Sequence, residues 1–170
     1  GWYDTNASTG GNQYYTENNI GVSGKSFDKT SNTTLYARWT PDTYTINLNH
    51  NGGTSSVSSV SVTFNQQIPA TVTKPSRMGY TFDGYYTSAT GGTQYYDQNG
   101  NRKYTTTWAI AAGTTIYAHW TAIEYQCAAS YYLPAGATKC ELCKDGHYCT
   151  GGTYMFNETQ VQGIGECPIG

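Results

Sequence analysis

Residues 1 to 126 contain no cysteine; all five cysteines lie between 127 and 167. The long first part therefore has no covalent staple and must fold by burying aromatic and β-branched side chains. The last 44 residues are Gly-rich and too short for a sizeable core of their own, the kind of extracytoplasmic module that disulfides hold together. Charge is also scarce, at 12% of residues with a net value of -2, and the nine Lys and Arg are scattered. That distribution gives no footprint for nucleic acid or an anionic membrane surface. No run approaches the roughly 18 consecutive apolar residues that a membrane-spanning helix needs. Strong helix formers are few, whereas 17 Tyr, 20 Gly and abundant Thr point to a mainly β chain. Residue 1 is Gly, and no charged-then-apolar leader precedes the first pattern, so a fragment is expected.

What the chain has is a repeat. Thr33-Thr-Leu-Tyr-Ala-Arg-Trp-Thr40 returns 81 residues later as Thr114-Thr-Ile-Tyr-Ala-His-Trp-Thr121. The copy extends upstream: Gly1, Tyr3, Thr9, Gly10, Gly11, Gln13, Tyr14 and Tyr15 match Gly84, Tyr86, Thr90, Gly91, Gly92, Gln94, Tyr95 and Tyr96, with a short slip before Thr9. The interval from Tyr14 to Tyr36 equals that from Tyr95 to Tyr117, and a fixed period of this length marks a repeat array. The first copy begins at its own midpoint.

Within the complete copy, Tyr44, Ile46 and Leu48 alternate with polar residues, which predicts a strand with one buried face. After the Asn51-Gly52-Gly53 turn, Val60, Val62 and Phe64 alternate likewise, so the two strands are expected to pair as an antiparallel hairpin. Pro69, Pro75 and Gly79 then leave room for at most a turn or two of helix. In the closing strand Ile116, Ala118 and Trp120 share one face and Tyr117 and His119 the other; the earlier copy divides Leu35, Ala37 and Trp39 from Tyr36 and Arg38. The exchange of Arg38 for His119 marks a solvated position. The expected repeat core is Leu35, Trp39, Ile46, Leu48, Val62, Phe64, Phe82, Ile116 and Trp120, with Trp39 and Trp120 burying large area in equivalent cores.

Met78-Gly-Tyr-Thr-Phe-Asp-Gly-Tyr-Tyr86, Thr90-Gly-Gly-Thr93 and Ile116-Tyr-Ala-His-Trp120 occur in an order that resembles the Listeria-Bacteroides surface repeat, also called the internalin B-repeat. On that resemblance residues 43–122 are one full copy and residues 1–41 the latter half of another, lacking the hairpin and poorly closed. The resemblance implies tandem β-grasp-like modules on secreted or cell-surface bacterial proteins, used as stalks, spacers or adhesive units, with no catalytic residues. Tyr85 departs from the family's usual Trp, which stands at Trp2.

The cysteine part has its own echo in Cys127-Ala-Ala-Ser, Cys143-Lys-Asp-Gly and Cys167-Pro-Ile-Gly, the third cut short. Five cysteines leave one unpaired, the sign of an intermolecular bond or a missing mate. The spacing resembles the cysteine-rich modules of ephrin-receptor-like and tumour-necrosis-factor-receptor-like ectodomains, which makes residues 125–170 a small disulfide-rich, loop-dominated module truncated at its C-terminus. That likeness implies Cys127 with Cys140, Cys143 with Cys167, and Cys149 awaiting a partner. Sequence alone allows other connectivities. A competing reading gathers Cys140, Cys143, His147 and Cys149 around zinc, but their spacing matches no standard finger, knuckle or ribbon, and disulfides are preferred.

Asp97-Gln-Asn99-Gly-Asn101 has its Gly in the fourth position and no later Glu, so it reads as a hairpin turn and not a calcium loop. The Tyr pairs at 14–15, 85–86, 95–96 and 131–132 should each point one ring in and one out. Outward rings pair across strands, or else Tyr86, Tyr96 and Tyr117 form a platform for stacking sugar rings. Asn6, Asn32 and Asn157 sit in acceptor patterns common by chance in such a chain.

No nucleophile elbow, phosphate loop or paired carboxylate is present, and His50, His119 and His147 fall in a turn, on an outward face and in the cysteine module. The expectation is a non-catalytic structural or adhesive segment of a large extracellular bacterial protein, without cofactor or metal. Its partners would be neighbouring repeats and a host or neighbouring-cell protein or glycan, not nucleic acid. The rival reading is a carbohydrate- or mucin-binding module. Residues 40–42 and 121–124 are expected to be hinges between beads.

Overall fold

The computed structural model describes residues 1–167. Pro168, Ile169 and Gly170, which complete the third cysteine echo, lie outside them. The chain divides into two units, Gly1–Asp42 and Thr43–Gly170. It is all β: the described residues contain no helix, so none is long and apolar enough to cross a membrane.

In the first unit, β1 (Trp2–Tyr3), β2 (Gln13–Tyr15) and β3 (Tyr36–Ala37) form a sheet in the order β2-β1-β3. Tyr14 is its one buried large side chain, packed against Phe27 and hydrogen-bonded through its hydroxyl to Asp28.

The second unit opens with β4 (Thr43–Asn49), β5 (Ser59–Thr63), β6 (Tyr80–Tyr86), β7 (Gln94–Asp97) and β8 (Thr114–Ala122). These make one sheet, β5-β4-β8-β6-β7. The expected hairpin is present, Ile46 facing Val60 across antiparallel β4 and β5. β4 then runs parallel to β8, with Leu48 opposite Ile116. The stretch between β5 and β6 contains no helical turn, as its prolines dictate. One face of the sheet carries Ile46, Leu48, Val62, Phe82, Tyr85, Ile116 and Ala118 into the core. Two loop residues, Ile68 and Trp108, cover that core with no exposure.

A bulge between Phe82 and Gly84 turns both Phe82 and Tyr85 inward, which strict alternation would forbid. Gly84 has φ 136° there, and a Cβ would collide with the carbonyl of Tyr96. Only glycine fits such a position.

The cysteine part is built of short strands: β9 (Glu124–Cys127), β10 (Tyr131–Tyr132), β11 (Glu141–Leu142), β12 (His147–Cys149), β13 (Gly152–Met155) and β14 (Ile164–Glu166). They pair as β9 with β13, β10 with β11 and β12 with β14. Residues 121–124 are not a hinge. Thr121 and Ala122 end β8, Glu124 begins β9, and the intervening Ile123 donates its N–H to the Gly79 carbonyl at 2.9 Å. Phe156 packs edge-on against Tyr80, and Arg77 pairs with Glu158 at 2.8 Å. The repeat and the cysteine part therefore share a hydrophobic contact and hydrogen bonds where a flexible joint was expected.

The disulfides are Cys127–Cys140 and Cys143–Cys149. The first is the pair the receptor-like resemblance implies. The second replaces the expected Cys143–Cys167 bond. The Lys144–His147 turn brings the α-carbons of Cys143 and Cys149 to 5.7 Å, whereas Cys167 donates its N–H to the Gly146 carbonyl and keeps an exposed free thiol. Three of the proposed zinc ligands are thus held in disulfides.

Candidate functional site

The two copies align strand by strand. Trp2 faces Ala37 and Tyr3 faces Tyr36, as Tyr85 faces Ala118 and Tyr86 faces Tyr117. On the other side Trp2 faces Tyr15 and Tyr3 faces Gln13, matching Tyr85 with Tyr96 and Tyr86 with Gln94, with a register shift at the same place. The order β2-β1-β3 is thus that of β7-β6-β8. Phe27 on Tyr14 corresponds to Trp108 on Tyr95.

The expected core separates along the same line. Ile46, Leu48, Val62, Phe82 and Ile116 are buried, and Phe64 is only half-buried at the end of the hairpin. Trp120 is partly buried: it meets Phe82 at 5.4 Å and donates its indole N–H to the His50 carbonyl at 3.0 Å, with Gly53 close beneath the ring. Trp39, expected in an equivalent core, is 87% exposed, and Leu35 is only half-buried. The reason is compositional. Every partner just named for Trp120 other than Phe82 comes from residues 43–64, and the first unit has no counterpart of that hairpin.

An open cleft of about 460 Å³ lies beside Trp39 within the first unit, lined by Trp2, Asn19 and Ala37 among others. Trp2 donates its indole N–H to Asn19 at 3.0 Å. Asp4 accepts from the Asn12 backbone at 2.7 Å and pairs with Lys29 at 2.9 Å. The Lys29 contact, reinforced by Asn12, holds the Asp4 carboxyl far below the ordinary carboxylate range. Asp28 is lowered by its bond from the Tyr14 hydroxyl.

The candidate stacking rings do not form a platform. Tyr96 is fully buried and donates its hydroxyl to the Pro69 carbonyl at 3.2 Å; burial pushes its pKa up to about 12. Tyr86 has one ring face covered by His119, stacked at 4.1 Å, and His119 also contacts the Ser88 carbonyl at 2.9 Å. Only Tyr117 keeps a partly open ring with no aromatic partner among the described contacts. The His119 position is therefore structural: in the first copy the Arg38 guanidinium lies over Tyr3 at 3.7 Å and does the same task. The expected in-and-out division of the Tyr pairs holds at 14–15, 85–86 and 131–132, but both Tyr95 and Tyr96 are buried. Residues 101–108 fold over β7, with Tyr104 stacked on Tyr95 at 4.4 Å.

The other polar groups singled out are also engaged in structure. His50 meets the Tyr85 hydroxyl at 2.7 Å, and burial raises the Tyr85 pKa well above the usual phenol range. Asp97 accepts from the backbones of Asn99 and Asn101 at 2.9 and 2.8 Å, which lowers its pKa and closes the turn. Asn157 caps its own turn through Thr159 and Gln160. Among the described residues no cluster of three or more His, Cys, Asp or Glu could hold a metal ion.

Residues 44–119 match the family model of the Listeria-Bacteroides repeat domain. That span begins in β4 and ends within β8 before Trp120, and so includes all or part of each strand of the five-stranded sheet. No curated protein matches the chain.

Proposed function

We propose that the chain is a non-catalytic structural and adhesive segment of a secreted or cell-surface bacterial protein. Its repeats act as spacers, and its cysteine part is a stapled end to the complete repeat. The observation that carries this reading is the register identity of β2-β1-β3 and β7-β6-β8. A chain that writes the same sheet twice, with its polar residues used as turn caps and ring covers, is built for serial length and not for a reaction centre. The match of residues 44–119 to a repeat domain typical of surface proteins supports it. So do the two disulfides, which need an oxidising compartment.

Protease shaving of intact source cells tests the location. Peptides from this chain, with Cys127–Cys140 still linked, should be released before the cells lyse. Recovery only from the cytosol with reduced cysteines would end the surface reading. For adhesion, the purified chain should be retained on an immobilised host-matrix or neighbouring-cell protein array. Retention on a glycan array alone, lost in Tyr117→Ala with the fold intact, would favour the carbohydrate-binding alternative instead.

A further inference from the structure

The five-stranded sheet of the complete repeat ends on β5 at one side and on β7 at the other, and the two edges are finished differently. Residues 101–103 lie along β7: Arg102 bridges Tyr96, and Lys103 donates its N–H to the Tyr95 carbonyl at 2.8 Å. Among the described residues no strand or bridge pairs with the outer side of β5. The register sets which groups that side presents. Leu48 donates its N–H to the Ser58 carbonyl at 2.8 Å, and the pairing of Ile46 with Val60 and Tyr44 with Val62 continues the pattern, so positions 58, 60 and 62 turn their backbone groups to β4. Ser59, Ser61 and Thr63 therefore turn theirs outward. Of these groups only the Thr63 carbonyl is used among the described hydrogen bonds, accepting from the Gln66 N–H at 2.9 Å. Natural sheets ordinarily blunt such an edge with charge, proline or a bulge. β5 has none of the three: it reads Ser59-Val-Ser-Val-Thr63, its register with β4 runs without a shift, and residues 43–73 contain no Asp, Glu, Lys or Arg.

We propose that β5 is a homophilic docking edge, at which a second copy of this chain pairs its own β5 antiparallel and carries the sheet across two molecules. The occupant follows from the strand itself. Ser-Val-Ser-Val-Thr reads nearly alike in both directions, so a two-fold axis at Ser61 sets Val60 against Val62 of the second copy and Ser59 against its Thr63. The two valines lie on the core face, where the half-buried Val60 gains an apolar neighbour, and the hydroxyls meet on the other face. Placed opposite one another, Ser59, Ser61 and Thr63 exchange the N–H and carbonyl bonds that a lone edge leaves to water. With no ionised side chain on the hairpin, two copies meet without repulsion, and a charged strand would find no counter-charge there. The inference deepens the adhesive reading by naming a second copy as partner, but it draws only on the complete repeat. Failed self-association would leave the spacer reading intact, and a cytosolic location would leave the edge intact.

The test uses the full chain carrying Cys167→Ser, so that the exposed thiol cannot link copies. Sedimentation equilibrium up to about 1 mM should show monomer and dimer in exchange. Over the same range, amide exchange read by NMR should show the Ser59, Ser61 and Thr63 N–H groups gaining protection, with Val60 and Val62 protected at every concentration. Ser61→Lys sets like charges across the axis and should weaken association at least about tenfold; Ser61→Glu should do the same, and an equimolar mixture of the two should restore it. The Ser61 side chain is exposed, so both variants should keep the parent's unfolding midpoint. Should either fail to fold, the amide pattern of the parent still decides. A chain that stays monomeric throughout, a dimer indifferent to both substitutions, or variants that mixing does not rescue overturns the proposal. So does a dimer that forms without protection of the three outward amides. If the chain stays monomeric while an added charge-free strand peptide protects those amides, the edge takes a different polypeptide and the homophilic reading fails.

Discussion

Trp39 and Trp120 occupy the same position of the repeat, yet their neighbours give them different weights. Trp120→Ala removes the contact with Phe82 and the bond to the His50 carbonyl, so a loss of about 3 kcal/mol is expected in urea unfolding of the complete repeat. Trp39→Ala deletes a side chain already in water and should change stability by less than about 0.5 kcal/mol. Equal losses would mean the two sites share one environment. The alternation of Leu35, Ala37 and Trp39 marks a face without saying what lies over it, and only the missing hairpin distinguishes the two sites in the sequence. A second residue-level consequence concerns the tyrosines. Burial raises the pKa of Tyr85, Tyr95 and Tyr96, so the neutral ring is favoured in the folded state. The stability from this is complete below the unfolded value near 10 and is lost as pH rises toward the folded values. In a spectrophotometric titration the exposed tyrosines should ionise first, with these three following only in a cooperative step together with loss of sheet signal. Smooth ionisation of all rings near pH 10 would contradict the burial.

At the scale of elements, the bulge in β6 decides whether Phe82 and Tyr85 can both reach the core. Gly84→Ala should cost roughly 1–3 kcal/mol, since φ there is 136° and the added methyl meets the Tyr96 carbonyl. Gly91→Ala, in a turn with open space around it, is the control and should cost less. The β4–β5 hairpin, the closing strand β8 and the turns at 51–53 and 91–92 were all legible in the sequence, because period-two alternation and glycine pairs are local signals. Three features were not. The burial of Tyr95 beside Tyr96 depends on Tyr104 and Trp108 folding over β7, the joining of β8 to β9 through Ile123 depends on Gly79 far away in sequence, and the Cys143–Cys149 bond depends on how tightly one turn closes. The two disulfides should each contribute about 2–3 kcal/mol by restricting the unfolded chain. Reduction should therefore raise amide hydrogen exchange across β9 to β14 while β4 to β8 keep their protection. Simultaneous loss in both regions would mean that the contact of Phe156 with Tyr80 couples them into one cooperative block.

For the molecule as a whole, the two units draw on different sources of stability. Thr43–Gly170 holds a buried cluster of eleven residues on and over its sheet, whereas Gly1–Asp42 buries one tyrosine and relies on polar contacts: Asp4 with Lys29 and Asn12, Tyr14 with Asp28, and Arg38 with the carbonyls of Ala7 and Gly10. Both Asp4 and Asp28 have folded-state pKa values below the ordinary carboxylate value. Their contribution is fully present above the unfolded value near 4 and is lost as pH falls below it. The complete repeat carries one comparable carboxylate, Asp97, which closes a single turn, so acid should act unevenly along the chain. Amide exchange followed from pH 6 to pH 2.5 should show protection disappearing from β1, β2 and β3 first, with β4 and β8 still protected. Asp4→Asn, which keeps a side-chain acceptor but removes the charge facing Lys29, should weaken the first unit at neutral pH and flatten its acid response. If that variant instead behaves like the parent across the whole range, the contacts of Asp4 are not what holds Gly1–Asp42 together, and Tyr14 with Phe27 must supply its stability.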